Sequence, residues 1–178
     1  MPTALVTAGT SPVMPHHPIL YQINVSLGGV PKRSVPTAWV SCNGLVGDAQ
    51  RNHVLHGGPD RAVCVFSLEL IQALQSEGHE ITPGATGENL TIAGLQWNAL
   101  RPGCHLHIGE TVHLELTAYC DPCRKNARWF RNGDYRRISQ QVHPGWSRLY
   151  ARVLREGYVH QGDCVRLFMP GSDSHVIC

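Results

Sequence analysis

The sequence predicts a mainly β protein, a closed or nearly closed β-barrel of about seven or eight short strands with one or two short helices. Only 16% of its 178 residues are charged, while 18 are Gly and 12 are Pro, a composition that favours short strands and many turns. Short runs with strand periodicity recur between these turns, without an internal repeat and without βαβ alternation. Together these observations favour a barrel over a doubly wound sheet.

The clearest strand signals are two stretches in which apolar and polar residues alternate. Residues 21–27 alternate up to Gly28-Gly29, and residues 111–118 repeat the pattern, which is typical of half-buried strands. Pro36 lies inside a further candidate strand and cannot donate to a ladder, so we expect that strand at a sheet edge or with a bulge. The shorter candidate strands are 35–40, 62–66, 89–92, 105–108, 149–154 and 165–168.

One helix is well marked in the sequence, and a second is weaker. Ser67 is a good N-cap, Leu70, Ile71 and Leu74 follow at helical spacing, and Gly78 ends the segment. The weaker helix runs from about residue 122 through residue 130.

The ends of the chain differ from its middle. We expect a flexible N-terminal arm over 1–18, one domain over 19–168 and a flexible C-terminal tail over 169–178, because both ends lack periodicity. Residues 1–20 contain neither Lys nor Arg, and the chain has no apolar run long enough for a membrane helix. Seven cysteines, an odd number, argue against a secreted disulfide framework. The predicted location is therefore the cytoplasm.

Two glycine-containing segments are candidate binding loops. In the first, 44–61, paired glycines let backbone N–H groups approach an anion, and Arg61 could hold a phosphate or carboxylate; alternatively, the glycines only permit positive φ. His53 and His56 could ligate zinc or be ordinary loop histidines. In the second, 83–90, Glu88 and Asn89 either fix a polar ligand or satisfy the groups of the turn.

The third segment is a C-x-x-C motif formed by Cys120 and Cys123 at the end of the best strand. The basic residues that follow favour the thiolate form, and Cys123 is the most reactive thiol that the sequence predicts. A thioredoxin-like dithiol needs a βαβ context, and a zinc site needs a second ligand pair. A single thiolate on a soft metal held by an organic cofactor fits better, with an inert pair as the alternative.

The fourth segment, 124–137, holds six of the fifteen basic residues, and aromatic residues are interleaved with them. The formal net charge of the chain is only +2, too small for a general polyanion binder. Single-stranded nucleic acid could stack on the aromatic residues. A solvated face beside an anionic cofactor explains the same charges and is the preferred interpretation.

Taken together, these segments resemble the MOSC domain family, named after the C-terminal part of molybdenum cofactor sulfurase. The resemblance covers about residues 25–168 and depends on five motifs that occur in order. They are Gly44-Leu45-x-Gly47-Asp48, His56-Gly57-Gly58-Pro59-Asp60-Arg61-Ala62-Val63, Pro83-Gly84-x-x-Gly87-Glu88-Asn89-Leu90, Pro122-Cys123-x-Lys125 and Arg152-Val153-Leu154-Arg155-Glu156-Gly157-x-Val159-x-x-Gly162-Asp163-x-Val165.

This resemblance implies a barrel that holds the pyranopterin molybdenum cofactor, with Cys123 as the thiolate ligand of molybdenum. Lys125 would stand beside the anionic groups of the cofactor, and Asp121 is a candidate proton donor next to the metal. The other residues implied in cofactor binding are His56, Gly57, Gly58, Arg61, Gly87, Glu88 and Asn89.

Two activities are implied by the family. Some members resemble reductases of N-hydroxylated small molecules, and others are proposed to carry the cofactor or a persulfide sulfur. The chain resembles a single-domain member without an appended ferredoxin-like region, so its expected partners are a small-molecule substrate and a separate electron-transfer or sulfur-donor protein. Neither a membrane nor nucleic acid is expected as a partner.

Overall fold

The structure is a computed structural model that describes residues 17–49 and 58–171. The predicted arm and tail lie mostly outside these ranges. The described residues form one α-helix, α1 (Leu68–Ser76), and five short 3₁₀ helices, Pro59–Arg61, Trp97–Ala99, Arg124–Trp129, Arg131–Gly133 and Tyr135–Ile138. The strands are β1 (Ile19–Val25), β2 (Arg33–Val35), β3 (Thr37–Ser41), β4 (Gly44–Leu45), β5 (Val63–Ser67), β6 (Leu90–Ala93), β7 (His105–Ile108), β8 (Val112–Cys120), β9 (Arg148–Arg155), β10 (Gly157–His160) and β11 (Val165–Phe168).

The strands form two sheets, an eight-stranded one with the order β11-β7-β8-β9-β5-β6-β1-β2 and a three-stranded one with the order β10-β3-β4. The prediction of a mainly β protein with few helices is confirmed. Closure into a barrel is not shown, because a single bridge, Ile19 to Cys164, joins the start of β1 to the residue before β11. None of the helices in the described ranges is long and apolar enough to cross a membrane.

One parallel pair was not predicted. β5 and β6 pair in parallel, with Val65 opposite Leu90, and α1 lies between them in the chain. Every residue of both strands is buried, so neither strand shows the alternation that would indicate its pairing. This β5-α1-β6 unit is a local exception to the expected absence of βαβ connections.

The structure confirms some of the other local predictions and differs from the rest. α1 begins as predicted, since Ser67 accepts a hydrogen bond from the Leu70 N–H at 3.2 Å. Pro36 separates β2 from β3, which belong to different sheets, in agreement with its expected disruption of a strand. At the place of the weaker predicted helix, 122–130, the structure has the 3₁₀ helix Arg124–Trp129 in place of an α-helix, and two further 3₁₀ helices follow, the first of which contains Asn132 with φ 58°. β4, with two residues, is too short to show periodicity, and β10 was missed although its burial alternates.

The hydrophobic core defines which face of the larger sheet is available for a site. Leu149 and Ala151 of β9 belong to this core. Because alternate residues of a strand point to opposite faces, Arg148 and Tyr150 lie on the other face. The fully buried residues of β8 that alternate toward the core are Val112, Leu114 and Leu116.

Candidate functional site

Four buried or half-buried side chains from three neighbouring strands meet on the face of the larger sheet that carries Arg148 and Tyr150 of β9. Cys120, at the end of β8, lies directly opposite Arg148 of β9. Cys64 of β5 lies directly opposite Tyr150 of β9. Residues directly opposite each other share a face, as do residues two apart on one strand. We call Cys64, Cys120, Arg148 and Tyr150 the cysteine–arginine cluster.

Arg148 is a buried cation, with a relative exposure of 5%. Its Nη1 donates to the Thr86 carbonyl at 2.5 Å and its Nη2 to the Asp121 carbonyl at 3.5 Å, while its Nε has no partner. Among the described residues, no carboxylate lies within 4.0 Å of this guanidinium. Carbonyl oxygens supply only partial charge, so a buried guanidinium in this setting requires a nearby anion.

The sulfur of Cys120, which lies opposite Arg148 on β8, and the buried Glu88 are the acidic groups that act on this guanidinium. The pKa of Cys120 is lowered to about 6, first by a hydrogen bond with Cys64 and then by the charge of Arg148 and the Tyr150 hydroxyl, although burial acts in the opposite direction. The same hydrogen bond, together with burial, raises the pKa of Cys64 well above its ordinary value. These shifts favour the thiolate form of Cys120 and the neutral thiol form of Cys64, which share a hydrogen bond.

Burial also raises the pKa of Tyr150, and the neighbouring thiolate adds to this effect. The phenol thus stays neutral and can donate to the Cys120 sulfur. The Arg148 pKa is raised by the nearby sulfurs despite the opposing effect of burial. The cluster accordingly combines a buried guanidinium with a buried thiol whose pKa is lowered.

The segment 83–90 forms the turn that supports this cluster. Glu88 is fully buried and accepts from the Gly84 N–H at 2.6 Å and from the Thr86 hydroxyl at 2.7 Å. Asn89 Oδ1 accepts from the Cys64 N–H at 3.1 Å. At Gly87, with φ 97°, a Cβ would come within 3.0 Å of a Val30 methyl group, so this position requires glycine. Glu88 and Asn89 hold the turn and β5 in place.

The Thr86 carbonyl connects the turn to the segment that carries Cys123. It accepts from Arg148 and also from Asn126 Nδ2 at 3.3 Å. Asn126 is buried, and its backbone N–H donates to the Cys123 carbonyl at 2.8 Å. Cys123 is half-buried and precedes the 3₁₀ helix Arg124–Trp129 as its N-cap residue. These contacts fix the backbone around Cys123 relative to the cysteine–arginine cluster.

The remaining predicted site residues lie around this centre or outside the described part. Arg61 is exposed, and its Cζ lies 5.6 Å from the centre of the Tyr150 ring. Gly58, with φ 92°, precedes the 3₁₀ helix that contains Arg61. Lys125 is exposed on the helix that follows Cys123. His53, His56 and Gly57 lie outside the described residues.

A cleft of about 260 Å³ opens next to the Cys123 segment. Its walls include the exposed carboxylate of Asp121 and the exposed guanidinium of Arg136, so it offers a small polar ligand both charges. Within 17–49 and 58–171, no group of three or more His, Cys, Asp or Glu side chains is arranged to hold a metal ion. The residues that line the cleft are Asp121, Pro122, Tyr135, Arg136, Ser139 and Gln141.

Sequence reasoning missed the most strongly perturbed groups of the site. It selected Cys123 as the reactive thiol, whereas the lowered pKa belongs to Cys120. Arg148 was overlooked because an arginine at the start of an apolar strand is usually a solvated end residue. The one available signal was its position directly before the predicted strand 149–154.

The MOSC domain family model matches residues 52–166, well over half of the chain, and the protein belongs to this family. It is 34% identical over 126 residues to the "Uncharacterized protein YflK" of Bacillus subtilis, in an alignment that covers 70% of this chain and 56% of YflK. It is 31% identical over 121 residues to "Protein YiiM" of Escherichia coli, covering 65% of this chain and 52% of YiiM. The chain thus spans about half the length of these curated relatives.

Solved structures support the same fold. The crystal structure of YiiM from Geobacillus stearothermophilus matches with a TM-score of 0.66 and 23% identity, covering 90% of this chain and 80% of that chain. YiiM from Escherichia coli matches with a TM-score of 0.66 and 23% identity, covering 88% and 72%. The predicted family resemblance is confirmed, and MOSC domains are implicated in molybdenum cofactor biology.

Proposed function

We propose that this protein binds the molybdenum cofactor and reduces N-hydroxylated small molecules with electrons from a separate donor. The observation that carries the proposal is Arg148, a buried guanidinium with an unused Nε donor, which is bonded to the segment that presents Cys123. A half-buried thiol supplies a soft ligand for a metal, and cations beside it suit an anionic organic cofactor. This donor set fits a metal held mainly by its cofactor.

Individual residues have separate roles in this proposal. Cys123 is the thiolate ligand of molybdenum, while Lys125 and Arg61 face the anionic groups of the cofactor. Gly58 leaves space for backbone N–H groups to approach those groups. Gly87, Glu88 and Asn89 shape the turn beside them, and His56 and Gly57 complete the set predicted from the sequence.

The proposed reaction is R–NHOH + 2H⁺ + 2e⁻ → R–NH₂ + H₂O. When bound, the cofactor supplies two-electron chemistry at its metal. The protein binds the substrate in the cleft beside Asp121 and Arg136, and the Asp121 carboxylate relays a proton from solvent to the oxygen that leaves as water. The buried Cys120–Arg148 pair keeps the Cys123 segment in position without adding net charge.

We also infer that the larger sheet closes into a barrel, as predicted from the sequence. Besides the Ile19–Cys164 bridge, backbone hydrogen bonds of 2.8 Å run from Leu20 N to Asp163 O and from Gly162 N to Leu20 O. These bonds bring the first strand against the segment that leads into the last. A closed barrel would hold the site on a rigid scaffold.

A second candidate function is transport of the cofactor or of sulfur, with Cys123 as a persulfide. The observation that favours it is a second thiol in the same C-x-x-C motif, Cys120, whose pKa is lowered by its neighbours. A persulfide adds the mass of one sulfur, and this mass is lost on thiol reduction. Its presence on wild-type protein and its absence from Cys123→Ser would establish the carrier function.

The reductase proposal is tested by amidoxime reduction with dithionite-reduced viologen, using protein from a host that makes the cofactor. We expect turnover by the wild type, none by Cys123→Ser, and unchanged turnover by Cys164→Ser, a cysteine that is also half-buried but lies outside the C-x-x-C motif. Turnover by Cys123→Ser at the wild-type rate would contradict the role of Cys123. Molybdenum-loaded wild type that reduces no N-hydroxylated compound would contradict the reductase function and favour the carrier function.

A further inference from the structure

The 3₁₀ helices that follow Cys123 expose a concentrated positive charge. We call residues 121–138 the basic lobe. The helix Arg124–Trp129 contacts both Arg131–Gly133 and Tyr135–Ile138, so the three short helices form one body. The exposed cations of this lobe are Arg124, Lys125, Arg128, Arg131 and Arg136.

These exposed cations have no acidic partner. None of them forms an ion pair within 4.0 Å with a described residue, and the only acidic residues of the lobe are Asp121 and Asp134. Arg137 of the same lobe differs, because it is bonded to Glu77 at 2.6 and 2.9 Å. Charges that the protein itself does not neutralise produce a field outside the molecule.

The aromatic residues of the lobe do not provide a surface for stacking bases. Phe130 is buried, Tyr135 is half-buried and packed against the core, and the guanidinium of Arg128 lies 4.6 Å from the centre of the Trp129 ring. Trp146, next to the lobe, is covered by Arg137 at 3.5 Å. Single-stranded nucleic acid is bound by both charge and open aromatic faces. The lobe has the charge without the open faces, which favours an acidic protein surface as its partner.

The position of the lobe indicates what such a partner would do. Cys123 is the N-cap residue of the helix that carries Arg124, Lys125 and Arg128. A protein docked on these cations would lie against the Cys123 segment. We propose that the basic lobe is the docking surface for an acidic electron-donor protein; this proposal rests on the proposed reductase function, which requires electrons from outside the described domain.

The test uses the purified full chain and two acidic redox proteins as probes, a flavodoxin and a plant-type ferredoxin. In the lobe variant Arg124→Glu/Arg131→Glu, neither residue belongs to the proposed cofactor or substrate site. The matched control Arg155→Glu/Arg166→Glu changes the charge equally at the opposite end of β8. Arg155 lies opposite His113 of β8, and Arg166 lies opposite His107, which in turn lies opposite His113. Both substituted residues are therefore near His113, which lies about 24 Å along β8 from Cys120.

We expect the lobe variant to lower the association rate of a probe at least about tenfold at low ionic strength, and the control to lower it less than about twofold. The difference should vanish at about 0.5 M salt, where screening confines the field to a few ångströms. Donor-driven substrate reduction should fall in parallel, while viologen-driven reduction stays unchanged in both variants.

Equal losses in the two variants would overturn the docking surface, since they would reflect net charge alone. Absence of salt-dependent binding of either probe would also overturn it, as would tighter binding of a single-stranded oligonucleotide to the lobe at physiological salt. Binding requires no loaded cofactor. Wild type that binds a probe through the lobe but takes up no molybdenum in a host that makes the cofactor would therefore contradict the proposed function and leave the docking surface intact.

Discussion

The ionised Cys120 predicts a specific pH dependence of stability. An unfolded cysteine titrates near pH 8.5, whereas the folded state lowers the pKa of Cys120 to about 6. Between these values the unfolded state binds more protons, so the free energy of unfolding rises with pH. From about pH 6 to about pH 8 the rise due to this one group is about 2 kcal/mol. Cys64 does not oppose it there, because its pKa is raised rather than lowered.

The assay is urea unfolding followed by tryptophan fluorescence at several pH values in this window. The difference in free energy of unfolding between wild type and Cys120→Ser isolates the contribution of Cys120, since the other titrating groups are common to both. We expect the advantage of the wild type to grow by about 2 kcal/mol with rising pH. Arg148→Leu should reduce the slope, because it removes the charge that adds to the effect of the Cys64 hydrogen bond on the pKa of Cys120. Cys104→Ser should leave the slope unchanged.

A pH-independent difference between wild type and Cys120→Ser would refute the reasoning. It would mean that Cys120 stays protonated and that the Arg148 charge is balanced by another group. A slope that persists unreduced in Arg148→Leu would instead assign the lowered pKa to the Cys64 hydrogen bond alone.

Two further predictions concern the turn and the outer face of β8. Gly87→Ala should lower the free energy of unfolding by about 1–3 kcal/mol, because it adds a close contact with Val30 to an unfavourable φ. Gly29→Ala, also at positive φ but in open space, should lower it less. Equal losses in the two variants would contradict a role of the Val30 contact. His113, whose pKa is lowered to about 4 by burial first and then by the neighbouring His107, should stay neutral to about that pH in an NMR titration. Its unfolded form binds a proton earlier, so stability should fall as the pH drops from about 6.5 toward 4, and His113→Gln should lessen this fall.

The elements that could be predicted from the sequence are those whose signal is local. β8 alternates because one of its faces packs on the core, and α1 has a cap and a terminating glycine within its own segment. The parallel pairing of β5 with β6 could not be predicted, because both strands are buried throughout and their pairing depends on how α1 packs.

The site was predictable only in part, for a similar reason. Glycine-rich segments and the C-x-x-C motif can be found in the sequence, and they led to the correct family. Arg148 is different, because its burial depends on the Thr86 carbonyl of one segment and the Asp121 carbonyl of another. Its pairing with Cys120 depends on the register of β8 and β9, which residue patterns do not specify.

The most direct test of the central claim is the molybdenum content of the purified protein, measured by elemental analysis after expression in a host that makes the cofactor. We predict about one molybdenum per chain in the wild type and in Cys120→Ser, and almost none in Cys123→Ser, because Cys123 alone supplies the thiolate ligand. Wild type without molybdenum, or Cys123→Ser with the full wild-type content, would contradict the claim.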